Sequence, residues 1–476
     1  MSPADIAAGA APQRLFLDIS TLLRWTGPPV GILRMEAELA RYALAHGIGL
    51  VFFDPGRNQY REVLAGPARD VLAGELVVDT SHVRDPRPER RALLSRAAHA
   101  AAQELYPLRR PRRLAIMAIE LLRLRLPSGR IRDAVEKVQT ALFSERYRKL
   151  LLDKRGRRRA IRPLGRVLGD PVALGPDCVI VSAGADWNTR APAVLAALKA
   201  QYGHRTVRGC HDLIPVKFPQ YFLPADVAAY TAYMRAAVQS VDRFICISEC
   251  TARDLAEFAT QQGVEHLDIA AEPLGADPVP VRTDGKLPDD LVRGKYALFV
   301  STIEPRKNHA MLHRAWLRLL ERGIPQAAGF KLVLVGRVGW NMDALLREWR
   351  EDPRLAGNLL HLQGLSDAAL AALYGGAAFC VYPSLYEGFG LPVLEALAHG
   401  RAVIGSDRGA LPEVMQDFGP MLDPDDEQGW TETMAQWITQ PEIVAGYEAR
   451  LAHFRPTTWE EAARRYFSRA AAPFAA

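Results

Sequence analysis

The chain has 476 residues, 49% of them hydrophobic and 24% charged, with 60 Lys and Arg against 54 Asp and Glu. That composition excludes a disordered, collagen-like or coiled-coil protein, and the length predicts two domains rather than one. The formal charge of +6 conceals an asymmetry. Residues 84–166 hold 24 basic and 8 acidic side chains, a net +16, and the remainder is an acidic protein at −10.

The five cysteines are few for this length. Most sit in or beside apolar runs, where a thiol acts as a small core residue. Cys246 and Cys250 form a lone C-x3-C without a neighbouring His or Cys, which is poor metal spacing. A reducing cytoplasmic setting is expected. The N-terminus lacks a basic stretch followed by a long apolar run, so no signal peptide is expected. No run of eighteen apolar residues predicts a spanning helix.

In chain order, strands are predicted at 14–20 and 49–55, with a helix over 31–45 between them. After the basic segment come strands at 177–184, 206–215, 243–248 and 266–275, with helices over 191–201, 226–240 and from Thr251. Apolar β-branched runs alternating with helical patterns indicate a parallel α/β sheet. The Pro- and Asp-rich stretch 277–290 reads as a linker. A second series follows, with strands at 296–302, 330–336, 358–364, 379–384 and 402–407 and helices over 309–321, 342–350, 367–374 and 392–399. Two doubly wound units leave an interdomain cleft at the carboxyl ends of their strands, where open α/β sheets bind ligands. Thr458 and Glu461 have capping-box spacing and start a last helix. Its apolar face is Trp459, Ala462, Ala463, Tyr466 and Phe467. The expected domains are therefore 1–285, with the basic insertion at about 84–166, then 286–455, and a C-terminal helix over 456–476 packing back on them.

The sharpest motif is YPSLYEGFGLPVLEALAHG at 382–400. A strand ends at Ser384, and Glu387, Gly388, Phe389, Gly390 and Leu391 lead into a helix opened by Pro392. Glycines permit close backbone approach, and a helix start offers free N–H groups and a positive dipole end, which suits a diphosphate. Glu387 and Glu395 bracket that cradle and can accept hydrogen bonds from sugar hydroxyls on either side. The alternative is an ordinary strand–turn–helix junction. Arg306 and Lys307, in STIEPRKN (301–308), suit a diphosphate as a planar fork beside a compact charge. The alternative is a solvated loop. His211 ends a strand before Asp212 and can donate to a sugar hydroxyl; the alternative is a capping or core histidine bonded to Asp212.

Glu387 to Glu395 is E-x7-E within EGFGLPVLEALAHGRAVIGSDRGALPE, which resembles the donor-binding signature of retaining glycosyltransferases of the GT-B fold, family four. STIEPRKN resembles that family's basic loop after the first donor-domain strand. LVLVGRVGW (332–340) and HLQGLSDAALAALYGGA (361–377) resemble its next strands and nucleotide-contacting loop. The N-terminal half, through 18–40, HDLIP (211–215) and ISECTARDL (247–255), is similar to the polysaccharide mannosyltransferase branch. Here Pro28-Pro29-Val30 lengthens the first loop before Gly31.

The resemblance implies a GT-B fold and a donor site. His211, Glu387, Arg306 and Lys307 would stand at the reacting centre. Gly31, Gly336, Leu365, Gly388, Phe389, Gly390, Leu391 and Glu395 would line the donor. It further implies a nucleotide-diphosphate sugar such as GDP-mannose as donor substrate, no cofactor, and a lipid-linked or polysaccharide acceptor; because no carboxylate stands out as a nucleophile, front-face transfer is expected, and the basic pair makes a metal unnecessary. A non-catalytic scaffold of the same fold and a nucleotide-sugar epimerase are the competing readings. The D-x-D at Asp423–Asp425 lies after a Gly-Pro turn and reads as a turn with a helix N-cap, not a metal motif.

Residues 114–126 are almost all apolar with Arg113, Glu120 and Arg123 to one side, as in a helix at a membrane interface beside anionic lipid. Ile131, Val135, Val138 and Leu142 repeat at helical spacing. The alternatives are a helical insertion packed on the first domain, or a nucleic-acid patch, against which stands the lack of any accompanying motif. The expected location is cytoplasmic, peripheral on the inner face of the membrane.

Overall fold

A computed structural model describes residues 13–27, 29, 31–80, 159–188, 192–277 and 287–474. Most of the basic segment, including the interfacial stretch 114–126 and the 131–142 repeat, lies outside the described residues, as does 278–286 of the linker. No described helix is long and apolar enough to cross a membrane. The chain divides into two compact units that do not follow chain order. The smaller comprises 16–175 and 184–202, and the larger 1–15, 176–183 and 203–476. The sheet strands on either side of residue 285 thus share one unit from residue 203 onward.

In the smaller unit, β1 (Arg14–Asp18, from Phe16) pairs in parallel with β2 (Gly49–Asp54). Next, β3 (Gln59–Val63) runs antiparallel to β2. A separate parallel pair joins β4 (Leu76–Asp79) to β5 (Ala160–Pro163), and β6 (Leu168–Pro171) is antiparallel to β3. The helix Ile32–Ala45 packs its Leu33, Met35, Leu39, Ala40 and Ala43 inward. Gly31 precedes it at φ 54 and ψ −123, a conformation that favours glycine; a Cβ there would meet no atom within 4 Å, so the constraint is torsional and not spatial. The described end of the basic segment holds β5, and Arg162 stands 3.7 Å from Asp70.

The larger unit contains two sets of parallel strands. The first is β7 (Cys178–Ser182), β8 (Arg205–Cys210), β9 (Arg243–Cys246) and β10 (Asp268–Ala271), neighbours in that order. β7 and β9 are buried at every position, as expected of strands covered on both faces. The second comprises β11 (Tyr296–Val300), β12 (Lys331–Val335), β13 (Leu359–Leu362), β14 (Phe379–Tyr382), β15 (Val403–Ser406) and β16 (Met421–Leu422). Their spatial order is β13-β12-β11-β14-β15-β16. This is the doubly wound order in which the chain reverses direction across the sheet between its first and fourth strands, here β11 and β14, and such a switch point opens a crevice at the strand ends.

All five cysteines are free and buried. The helix Glu427–Thr439 follows the D-x-D stretch, and Asp426 caps it by accepting from the Gly429 amide at 2.9 Å. The last helix is Trp459–Ala471, and Thr458 Oγ1 accepts from the Glu461 amide at 3.1 Å. Its buried face is the one read from spacing, extended by Ala470. It docks on the first strand set. A Cβ on Gly275 would lie 2.6 Å from the Trp459 backbone, so only glycine fits there. Arg243, 5% exposed on β9, binds Asp268 at 2.7 Å and donates to the carbonyls of Arg469, Ala472 and Pro473 at 2.6–2.8 Å. One guanidinium thereby satisfies the orphan carbonyls at the helix end.

Two substitutions measure these caps. Thr458→Ala costs about 1 kcal/mol in chemical denaturation. Arg243→Met costs about 3–5 kcal/mol, because Asp268 loses its buried partner along with three bonded carbonyls.

Candidate active site

Both loops at the switch point carry charge. After β11 the chain makes a 3-10 turn, Pro305–Lys307, closed by Asn308 in the left-handed region at φ 59. Proline at the start of this turn and asparagine at its end suit those torsions, and the turn sends Arg306 and Lys307 toward the loop after β14. That loop is tied back through the Leu385 amide, which donates to the Arg306 carbonyl at 2.9 Å. Arg306 Nη1 donates to Glu387 Oε2 at 2.6 Å and to the Tyr386 carbonyl at 2.7 Å. Its Nη2 reaches Glu304 Oε1 at 2.8 Å, and Lys307 Nζ donates to Glu387 Oε1. Glu387 is therefore held on both oxygens, and it is 9% exposed.

Burial alone would raise the Glu387 pKa. The adjoining Arg306 and Lys307 charges outweigh it and bring the carboxyl down to about 2. Burial and the neighbouring Arg306 charge push the Lys307 ammonium downward, against the pull of Glu387. Asp212 shifts upward, chiefly through burial and further through Glu387, although Arg306, the Ile214 amide and Lys307 oppose it.

The 203–277 stretch meets this loop through two short contacts at Gly388. A Cβ there would lie 2.2 Å from the His211 carbonyl oxygen and 2.8 Å from Asp212 Cβ. The space freed by this glycine is filled by the protein's own backbone, not left open for a ligand. The Gly388 carbonyl accepts from Ser248 Oγ at 2.7 Å and from Thr251 Oγ1 at 3.1 Å. Ser248 also caps the helix Glu249–Gln261, accepting from the Thr251 amide. Glu413 completes that helix start by accepting from the amides of Glu249 and Cys250 at 2.9 and 2.6 Å. His211 is 5% exposed, and its Nε2 donates to the Ala183 carbonyl at 2.7 Å, which orients the ring.

Gly390 sits at φ 102 as N-cap of the helix Leu391–Ala398; a Cβ there would come 2.6 Å from Leu411 Cδ2, so torsion and packing both select glycine. Pro392 has no amide hydrogen, and the Val393 and Leu394 amides donate to the Gly390 carbonyl at 2.9 and 3.2 Å, so the positive end of the helix dipole is presented at Leu391. Phe389 is buried beneath the turn at 7% exposure. Glu395 lies one turn in, where its Oε2 accepts from Tyr374 Oη at 3.2 Å. Gly336, at the end of β12, has no room for a side chain: a Cβ would lie 1.8 Å from the Ser301 carbonyl. Leu365 precedes the helix Asp367–Gly376 and lines a cavity of about 260 Å3 with Ala369, Leu373, Leu287, Pro288 and Asp289, none of which belongs to the Arg306–Lys307–Glu387 cluster. Gly31 belongs to the smaller unit.

Sequence reading missed Glu304, Asp212 and Glu413. Glu304 lay inside the quoted basic loop, two residues before the arginine it pairs with, and Asp212 sat beside His211 in HDLIP. Glu413 carried only the signal of an acid after Pro412, because its partners are amides 163 and 164 residues away.

Replacing Glu387 leaves two buried cations without their shared carboxylate. Glu387→Gln should therefore destabilise the fold by about 3–5 kcal/mol near neutral pH, read by denaturant titration. With a folded pKa near 2 against an ordinary 4.5, the stability due to this carboxylate is complete above the ordinary value and is lost as pH falls through 2. Wild type and variant should thus converge in stability as pH drops below about 4.

With this geometry in place, comparison with known proteins is informative. The model of glycosyl transferases group 1 matches residues 290–451, and that of Glycosyltransferase Family 4 matches 127–263, together well over half of the chain. The serotype-specific mannosyltransferase WbdA of Escherichia coli is 26% identical over 265 residues, 53% of this chain and 32% of that protein. The O-antigen chain mannosyltransferase B of Escherichia coli is 40% identical over 166 residues, 35% of this chain and 42% of that protein. The chain thus spans about a third of the length of WbdA. Among solved structures, sucrose-phosphate synthase from Thermosynechococcus elongatus is 20% identical with a TM-score of 0.46, over 61% of this chain and 72% of that one. Residues 290–451 are thus similar to glycosyl transferases group 1 and residues 127–263 to Glycosyltransferase Family 4, and the paired carboxylates and basic turn at the switch point lie within the first of these matches.

Proposed function

We propose that this protein is a retaining, metal-independent glycosyltransferase that moves mannose from GDP-mannose to a lipid-linked or polysaccharide acceptor in surface glycan synthesis. The observation that carries the reading is the convergence of Arg306, Lys307 and Glu387 at the ends of β11 and β14, beside the start of the helix Leu391–Ala398. Two relatives named as O-antigen or serotype-specific mannosyltransferases support the choice of sugar and the setting.

In this reading the donor's diphosphate sits against Arg306, Lys307 and the positive end of that helix. As the glycosidic bond breaks, negative charge grows on the leaving diphosphate, and these fixed cations and dipoles stabilise it without reorganising. They perform the electrostatic role that a divalent ion would otherwise fill. Glu387, released in part from its cations, accepts from the sugar hydroxyls and fixes the ring. Glu395, set by Tyr374, accepts from the ribose. His211, its ring oriented by the Ala183 carbonyl, lies at the sugar end. No carboxylate is assigned as nucleophile; the acceptor attacks from the leaving-group face and its proton passes to the departing diphosphate.

The test is a thermal-shift series with nucleotide sugars. A donor at a hundred times its Kd stabilises the fold by about 2.7 kcal/mol. GDP-mannose should give the largest shift, and Lys307→Ala should abolish it and lower transfer about 10²- to 10³-fold. A protein that responds to no nucleotide sugar is the scaffold instead.

The acceptor side extends the proposal to an anionic membrane surface contacted through residues 84–166, on the cytoplasmic face. The net +16 of that segment supports it. Co-sedimentation of the full chain with phosphatidylglycerol vesicles, but not phosphatidylcholine vesicles, is expected, with binding weakening as salt rises. Retention indifferent to lipid charge and salt removes this part of the proposal.

A further inference from the structure

Two cations and three carboxylates share the switch-point site, and they are not equally placed. Glu387 is gripped by Arg306 and Lys307, and Glu304 by Arg306. Asp212 enters from the end of β8 with its Cβ against the Gly388 loop. Among the described residues its carboxylate accepts one hydrogen bond, from the Ile214 amide to Oδ1 at 3.0 Å. Its backbone is pinned, because Tyr230 Oη donates to the Asp212 carbonyl at 2.6 Å.

The groups that act on Asp212 come from every element around it. Cys210 and His211 precede it on its own strand end, and Tyr230 reaches it from the helix Pro224–Ser240. Arg306 and Lys307 act from the 3-10 turn, and Glu387 from the loop after β14. Of these, only the two cations favour its charged form.

A nucleotide-diphosphate sugar brings two negative charges to the same two cations. Glu387 and Glu304 keep direct hydrogen bonds from them; Asp212 has none, so the added negative charge screens both cations from it and leaves the Ile214 amide to favour its charged form. We propose that Asp212 is the proton-accepting group of the donor site, taking one proton from solvent as the donor's diphosphate binds to Arg306 and Lys307. The step forms an O–H bond on the Asp212 carboxylate and consumes one solvent proton. The resulting carboxylic acid turns an electrostatic opponent of the diphosphate into a hydrogen-bond donor for the bound sugar nucleotide. This inference rests on the donor reading above and adds a positioning role for Asp212.

The upward shift of Asp212 through burial is in the same direction. A nucleotide sugar has no phosphate group that titrates near neutral pH, so any proton uptake on binding belongs to the protein. The experiment is calorimetric titration of the full chain with GDP-mannose, without acceptor, in two buffers of different ionisation heat across about pH 5–8. Wild type should take up close to one proton per bound donor at its maximum. Asp212→Asn retains an oxygen for the Ile214 amide and should bind GDP-mannose with that uptake lost. Uptake unchanged in Asp212→Asn assigns the proton to Lys307 or Glu387 and overturns the proposal. A second readout needs no variant: the infrared C=O band of a protonated carboxyl should grow in wild type when GDP-mannose is added, and donor binding without it also overturns the proposal. Absence of binding heat with any nucleotide sugar fails the donor reading itself, which donor binding without proton uptake would leave standing.

Discussion

One carboxylate held by two cations organises this site. Glu387 joins the loop after β14 to the turn after β11 through Arg306 and Lys307, across the point where the sheet reverses its winding. Its two oxygens are used, its surroundings are nearly dry, and its charge is locked in place by neighbours that need it as much as it needs them. A buried pair of this kind gives little net stability over an apolar isostere, but leaving either side unpaired is costly. The cost is what fixes the geometry: no rotamer of Arg306 or Lys307 that abandons Glu387 is cheap, so both stay on its carboxylate.

The same loop carries two glycines with different tasks. Gly388 lets the His211–Asp212 backbone press against it, and Gly390 supplies a left-handed turn into the Leu391–Ala398 helix. The first task couples the loop after β14 to the strand end that holds His211. Ser248, Thr251 and Glu413 reinforce the coupling with hydrogen bonds to the neighbouring helix start and to the Gly388 carbonyl. Position is thus passed from one strand set to the other by a close backbone approach at Gly388 and by side-chain bonds to main-chain groups.

Local chemistry was legible wherever it was strong. The apolar strands 296–300, 331–335 and 379–382, the Thr458 capping box and the Pro392 helix start follow directly from periodicity and cap residues. A helix N-cap was readable at the D-x-D stretch, and Asp426, the residue after it, fills that role. Strands β3, β5 and β6 were not, because they are short and mixed in polarity, and β5 and β6 are defined by partners far along the chain. The helices Glu427–Thr439 and Pro441–Leu451 were passed over for want of a sharp periodic stripe. At the site, residue types pointed to Arg306, Lys307 and Glu387 separately, whereas their mutual grip is a product of strand order. Asp212 and Glu413 depend on contacts that no local spacing encodes.

The docking of Arg243 on the final helix has a consequence in time. The carbonyls it satisfies belong to Arg469, Ala472 and Pro473, more than two hundred residues downstream. Until that stretch is synthesised, a guanidinium inside β9 has only Asp268 for company, and the strand face meant for Trp459, Tyr466 and Phe467 stays bare. At ribosomal speeds of about 5–20 residues per second, that wait is tens of seconds at the slow end. The strand set bearing His211 and Asp212 therefore finishes late in synthesis, and its exposed face is the natural place for a chaperone to hold the nascent chain.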